Sequence, residues 1–221
     1  MPTTIESARE TRTMPLFAPV RATNNAAQRA FDVFGASLGI IVSLPLWPFI
    51  ALAIRLESRG PMLVKLDRIS ASRIVKLYKF RSMIDNAAAK KAELAHLNER
   101  RDGPFFKIRR DPRLTRVGRV IRKFRIDEFP QLINVLRGDL ALVGPRPHEP
   151  EEVFAYPNEY AHLVSAKAGV TGLSQVSGAS SLPFLRELDL DSRYIQNRSL
   201  WLDLKIVAKT LAILFFDPTA V

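Results

Sequence analysis

From Val33 to Ile54 the chain carries no charged residue, the longest apolar run in the sequence. At 1.5 Å per residue such a run is just long enough for a helix to cross a hydrocarbon core of about 30 Å. Two features count against a straight crossing. Pro45 and Pro48 fall in its second half, where each removes a backbone donor and crowds the preceding turn, so the spacing predicts a bend. The flanks are basic on both sides, Arg21 and Arg29 before and Arg55, Arg59, Lys65 and Arg68 after, which by the positive-inside tendency places both ends in the cytoplasm. A helix over 26–58 that dips into one leaflet and returns satisfies both observations. A plain transmembrane helix and a buried core helix are the competing readings. Residues 1–25, polar and broken by Pro15 and Pro19, are expected to be a flexible leader, with no apolar core of the signal-peptide kind.

Beyond the apolar block the periodicity shortens. Met62–Leu66 and Ile74–Phe80 read as two strands joined by a Ser-rich turn. The Ala, Lys, Glu and Leu of 85–100 predict an exposed helix starting at Asp85. Arg116, Arg119, Arg122 and Lys123 recur at helical spacing over about 115–124. A further helix is expected from Asp127 to Leu136, stopped by Gly138, with Pro130 tolerated in its first turn. Leu140–Val143 is strand-like, Pro147–Tyr160 an acidic loop leading to a short helix, and Gly169–Gly178 a Gly/Ser loop. Trp201, Leu204, Ala208, Leu211 and Phe215 share one face of a last helix, with Lys205 and Lys209 on another. That helix either lies in a membrane interface or packs on the core. The fold class is therefore α+β, mostly helical: an N-terminal re-entrant membrane helix, a small β element and interfacial amphipathic helices around a site. Residues 59–221 are expected to form one domain on the cytoplasmic side.

A net charge of +11 on 221 residues demands an anionic partner, whether nucleic acid, anionic lipid or phosphorylated substrate. The cations are interleaved with apolar residues and no nucleic-acid-binding motif is visible, so lipid and phosphate are favoured and nucleic acid is not expected. The absence of cysteine removes disulfides and thiolate metal sites.

The chemistry concentrates at Asp127-Glu128. On residues alone the pair is also an ordinary N-cap followed by a first-turn glutamate. Its neighbours change that balance. Lys79 and Arg81 close a strand, and Arg122 and Arg125 precede the pair. Arg146 stands between Pro145 and Pro147, which lower the entropy of presenting it. Lys79, Arg81, Arg122 and Arg146 make a cage for a diphosphate, with Mg²⁺ shared between phosphate oxygens and a carboxylate. The arginines and the helix dipole are expected to favour the ionised form of both carboxylates. Asp189-Leu190-Asp191 spells a D-x-D, read here as structural, and His96, His148 and His162 are scattered enough to be surface or loop residues.

Several long motifs occur in order: Phe31-Asp32 with the apolar block, Tyr78-Lys79-Phe80-Arg81-Ser82-Met83, Asp127-Glu128-x-Pro130-Gln131-Leu132-x-Asn134, Val143-Gly144-Pro145-Arg146-Pro147, Gly169-Val170-Thr171-Gly172 and Ser199 to Lys205. Over roughly residues 29–216 the chain resembles the bacterial sugar transferases, the monotopic polyprenyl-phosphate phosphoglycosyl transferases. Arg125 departs from their usual Ser or Thr, and the turn Ser70-Ala71-Ser72 lacks their usual glycines. The resemblance implies an aspartyl nucleophile, Asp127, and a magnesium-binding glutamate, Glu128. It makes the loop bearing Thr171 and Gln175 a candidate substrate contact. It further implies a UDP-sugar donor, a polyprenyl phosphate acceptor, membrane lipid as a partner and the bacterial inner membrane as location, with the catalytic domain on the cytoplasmic face. It admits a homodimer. A non-catalytic membrane-surface scaffold is the rival reading.

Overall fold

The apolar block folds as one long helical segment in two arms, α1 (Ala26–Ser43) and α2 (Trp47–Glu57), with a 3₁₀ turn (Leu44–Leu46) between them. This arrangement comes from a computed structural model, which describes residues 26–178 and 181–216. The leader over 1–25 lies outside the described residues. Pro45 lacks an amide hydrogen, so the ladder tightens where Ser43 Oγ bonds the Ile40 carbonyl and receives the Trp47 indole N–H at 3.2 Å.

Both arms pack on the globular part. On α1, Arg29 donates from both terminal nitrogens to the carbonyls of Val135 and Leu136, each at 2.7 Å. Asp32 accepts the Leu142 amide at 2.8 Å, and Ala36 is buried against Leu132 and Val135. A Cβ at Gly35 would stand 2.5 Å from the Leu142 side chain, so glycine sets this approach. On α2, Trp47 meets Phe80 edge-on at 5.4 Å, and Ile54 is buried with Phe80 and Ile121. A straight helix of these 32 residues would reach about 48 Å. Here the chain is fastened to one domain from Arg29 to Glu57. The outward side, with Phe34, Ile41, Val42, Phe49, Leu52 and Leu56, is exposed.

A hairpin follows, β1 (Leu63–Ser70) antiparallel to β2 (Arg73–Phe80), with Leu63 opposite Phe80 and Ser70 opposite Arg73. β1 runs four residues further than its hydrophobic pattern suggested. Ala71 and Ser72 turn at φ 51° and 58°, a conformation that favours glycine. Their amides donate to the carbonyls of Ala166 and Val164 at 2.9 and 2.8 Å, which holds the strained turn.

The helix expected over 85–100 does not form. The segment is turns with two 3₁₀ pieces, Ala89–Lys91 and Ala95–Leu97. Its composition favours helix, but it has no sustained apolar face to bury, and a stretch of that length does not hold in water on propensity alone.

α3 (Arg116–Lys123) forms as the cation spacing predicts. Thr115 caps it by accepting the Gly118 amide at 2.8 Å, and Glu57, at the end of α2, accepts the Arg116 and Val117 amides at 2.6 and 2.8 Å. A Cβ on Gly118 would collide with the Ser82 carbonyl at 1.8 Å. α4 (Gln131–Arg137) ends at Gly138, φ 83°, as expected, but starts only after Pro130. β3 (Ala141–Val143) then pairs in parallel with β4 (Gly169–Thr171). Between them lie α5 (Pro150–Val153), opened by a Glu149/Glu152 capping box, and a 3₁₀ stretch (Asn158–Ser165). The expected Gly/Ser loop is instead β4 followed by α6 (Leu173–Val176).

α7 (Phe184–Gln196) packs through Leu188 on Phe105 and Leu163. α8 (Leu200–Phe216) buries Asp203 and Ile206 and exposes Trp201, Leu204, Ala208 and Leu211. Its periodic apolar face therefore points outward, with the Lys205 ammonium 5.1 Å from the Trp201 ring centre. The Phe215 side chain lies outside what the structure describes. Among the described residues the fold is mostly helical, with two small sheets and one long apolar helical segment near the N-terminus.

Candidate active site

Asp127 and Glu128 close a 3₁₀ turn, Ile126–Glu128, rather than opening α4. The turn is set by Arg125 in the left-handed conformation (φ 53°, ψ 20°), which reverses the chain at the end of α3. Asp127 is therefore not an N-cap, and the bland capping explanation of the pair fails on geometry. Asp127 is 4% exposed, whereas Glu128 keeps 29% of its side chain accessible.

Lys79, at the end of β2, joins the two. Its ammonium lies 2.6 Å from Glu128 Oε1 and 3.9 Å from Asp127 Oδ2. Burial would raise the Glu128 pKa, but Lys79, then Arg146 and Arg125, outweigh it and hold this carboxyl below its usual range. Asp127 goes the other way: burial dominates and raises its pKa, the Glu128 charge adds to the rise, and Lys79 and Arg122 only partly oppose it. The neighbouring cations thus outweigh burial at Glu128, as expected, and fall short of it at Asp127. The sequence supplied the arginines but not the depth at which Asp127 sits.

Of the expected cage, Lys79, Arg122 and Arg146 act on the pair. Arg122 is oriented by a 2.9 Å bond from its Nε to Ser82 Oγ. Arg146 is fixed to α7, its amide donating to Asp191 Oδ2 at 3.0 Å and its guanidinium 3.4 Å from Glu187 Oε1. Arg81 belongs elsewhere: it is 4% exposed and donates to the carbonyls of Arg59 and Ser58, each at 2.7 Å, clamping the exit from α2. Thr171 and Gln175 are both buried. The Thr171 hydroxyl meets that of Thr210 at 2.6 Å, and Gln175 donates to the Val170 carbonyl at 3.1 Å. These bonds hold β4 against α6 and α8, so the structure does not place either residue among the charged groups.

His148 lies in a loop, one of the two expected places, but not at the surface. It is 4% exposed, hydrogen-bonded to the Tyr156 hydroxyl, and its pKa is driven well below the ordinary value by burial and then by Arg146. Asp191 does prove structural.

One site residue was legible only as a motif letter. Asn134 is fully buried on α4, where its amide oxygen accepts the Tyr78 N–H at 2.9 Å and its nitrogen donates to the Lys76 carbonyl at 2.9 Å. It thereby acts as a strand partner to the edge of β2 and fixes Lys79, one residue on, against Glu128.

Among the described residues no three His, Asp or Glu side chains gather to cage a metal. A magnesium ion does not need such a cage, because one or two carboxylates together with substrate phosphates suffice. Glu128, ionised, hard in its donor atoms and partly accessible, fits that role.

A family model described as bacterial sugar transferase matches residues 23–217. The chain is 39% identical over 197 residues to "Galactosyl transferase CpsE" of Streptococcus agalactiae serotype III, covering 88% of this chain but 43% of that protein. It is 33% identical over 216 residues to "Exopolysaccharide production protein ExoY" of Rhizobium meliloti, covering 94% of this chain and 96% of that one. With "UDP-glucose:undecaprenyl-phosphate glucose-1-phosphate transferase" of Caulobacter vibrioides identity is 39% over 203 residues, covering 87% and 71%. The chain spans less than half of the first of these relatives and nearly all of the second. By the extent of the match and the site it contains, the chain belongs to the bacterial sugar transferase family.

Proposed function

We propose that this enzyme moves a sugar 1-phosphate from a UDP-sugar to polyprenyl phosphate in two phosphoryl-transfer steps. The observation that carries the reading is the buried Asp127 held beside an ionised Glu128 by the single ammonium of Lys79. An Asp127 carboxylate oxygen attacks the sugar-linked phosphorus. The bond to the bridging oxygen breaks, and UMP leaves with the electron pair. A phosphate oxygen of the polyprenyl acceptor then attacks the same phosphorus and releases the Asp127 carboxylate, giving a polyprenyl diphospho-sugar. Glu128 would hold Mg²⁺, which supplies charge neutralisation on the diphosphate when bound. Lys79 lies within 3.9 Å of the attacking carboxylate, and Arg122 and Arg146 supply the further positive charge without which a carboxylate approaching a diphosphate is repelled.

Burial makes Asp127 a reluctant anion before the donor arrives, and the same desolvation makes it a stronger nucleophile once cations gather around the bound diphosphate. The two helical arms, fastened to the domain at both ends and apolar on the outside, support a re-entrant seat in one leaflet. Arms that both return to one domain keep the site at the surface where the acceptor phosphate lies. The outward face of α8 adds an interfacial contact. The cytoplasmic face of the bacterial inner membrane is the location consistent with a nucleotide-sugar donor and the basic flanks.

The test is UMP release from UDP-glucose, UDP-galactose and UDP-N-acetylgalactosamine with undecaprenyl phosphate and Mg²⁺. Release with at least one donor is expected, with Asp127→Asn lowering the rate at least about a thousandfold while membrane association is retained. Full activity in Asp127→Asn would refute the nucleophile assignment.

A further inference from the structure

Arg146 is held by two carboxylates of α7. Its amide goes to Asp191, and its guanidinium Nη1 lies 3.4 Å from Glu187 Oε1. Glu187 is 1% exposed, and its other oxygen lies 3.5 Å from Arg100 Nη1. The two arginines differ in freedom. Arg100 is locked, with 10% of its side chain exposed and Nε and Nη2 on the two oxygens of Asp102 at 3.2 and 3.0 Å. Asp102 in turn accepts the amide of Phe184, the first residue of α7, at 2.5 Å. Arg146 keeps 39% of its side chain exposed.

A buried carboxylate between one immobile and one half-exposed arginine can direct only the second. Pro145 and Pro147 fix the backbone on either side of Arg146, the Asp191 bond fixes its amide, and Glu187 fixes the far end of its side chain. We infer that Glu187 is a positioning residue for the transfer reaction, aiming the Arg146 guanidinium at the donor diphosphate beside Glu128. This rests on the proposed phosphosugar transfer. Glu187 itself touches no substrate. It acts by restricting Arg146 to one direction before the donor arrives, so its loss should weaken donor binding more than turnover.

The experiment is a double-mutant cycle of Glu187→Gln and Arg146→Met, read as kcat and KM for the donor that gives UMP release with the wild type, alongside unfolding temperature. Glu187→Gln alone is expected to raise donor KM about tenfold with kcat changed about twofold or less, and to add nothing in the Arg146→Met background. Should Glu187→Gln not fold, Glu187→Asp, which keeps the charge but withdraws it by one methylene, runs through the same cycle with the same expectation. An additive effect of the two substitutions, or a fall in kcat with KM unchanged, overturns the inference while leaving the transfer reading in place. A wild type that releases no UMP from any of the three donors overturns the transfer reading, and the task assigned to Arg146 and Glu187 with it.

Discussion

Two regions bury carboxylates, and they do so for opposite ends. At the 126–128 turn, Asp127 is buried but faces the ammonium of Lys79, with Glu128 partly open beside it. On α7, Asp191 is 1% exposed and meets the backbone amide of Arg146, and its pKa rises to about 7, chiefly through burial. The first region keeps a charge poised next to cations that a substrate can recruit. The second sets carboxyls deep in the domain to hold one loop and one arginine. Burial alone does not distinguish the two regions; the Lys79 ammonium facing Asp127 does.

The contrast breaks most visibly at Asn134, which holds the first region together without touching the reaction. Asn134→Ala leaves the Tyr78 amide and the Lys76 carbonyl without partners, at a cost of roughly 3 kcal/mol from two part-buried backbone groups. Urea unfolding in detergent should show that loss. In the surviving folded fraction UMP release should fall at least about tenfold, because Lys79 loses its register against Glu128. Unchanged stability would mean that β2 does not depend on this side chain.

How much of this could be read from the chain depends on separation along it. The uncharged run with Pro45 and Pro48 announces a bent apolar helix because its signal is contiguous, and Asp127-Glu128 after a run of arginines is equally local. Asn134 to Tyr78 spans 56 positions and Arg146 to Glu187 spans 41. No periodicity encodes such pairs, so the strand-mimicking amide and the α7 bracket appear only in three dimensions. Arg81 shows the same limit from the other side. Its place two residues after Lys79 would put both side chains on one face of a continuing strand, but β2 ends at Phe80, and Arg81 turns to the Ser58 and Arg59 carbonyls. The 85–100 segment misled through composition: helix formers without a face to bury do not make a helix.

The second region is sharpened by pH. In the fold Asp191 keeps its proton up to about pH 7, whereas in the unfolded chain it releases it near 3.9. Between those values the folded state binds more protons, so the fold loses stability as pH rises from about 4 to about 7. His148 tilts the other way over part of that range. Its pKa is depressed by burial, so the unfolded chain takes up a proton near pH 6.5 that the fold refuses, and stability falls as pH drops below that point. Asp191→Asn retains an acceptor for the Arg146 amide and removes one of these two slopes. The variant should gain on the wild type as pH rises from 4 to 7, by up to about 3 kcal/mol, measured as the difference in unfolding free energy. Parallel profiles would show that Asp191 is ionised in the fold.

The smallest effect lies at the entrance to the first region. Arg125 is left-handed at φ 53°, a conformation that costs a non-glycine residue about 1 kcal/mol, and it immediately precedes the turn that carries Asp127 and Glu128. Its charge is also one of those that hold Glu128 ionised. Two substitutions separate strain from charge. Arg125→Gly removes both, and Arg125→Ala removes only the charge. Glycine's greater freedom in the unfolded chain offsets part of the relief, so Arg125→Gly should unfold about 1–3 °C above Arg125→Ala. The two should release UMP at the same reduced rate if the arginine serves the site through charge. If glycine is slower than alanine despite being more stable, the strained turn itself aims the pair, and the rigidity of this region, like that of the α7 bracket, belongs to the function.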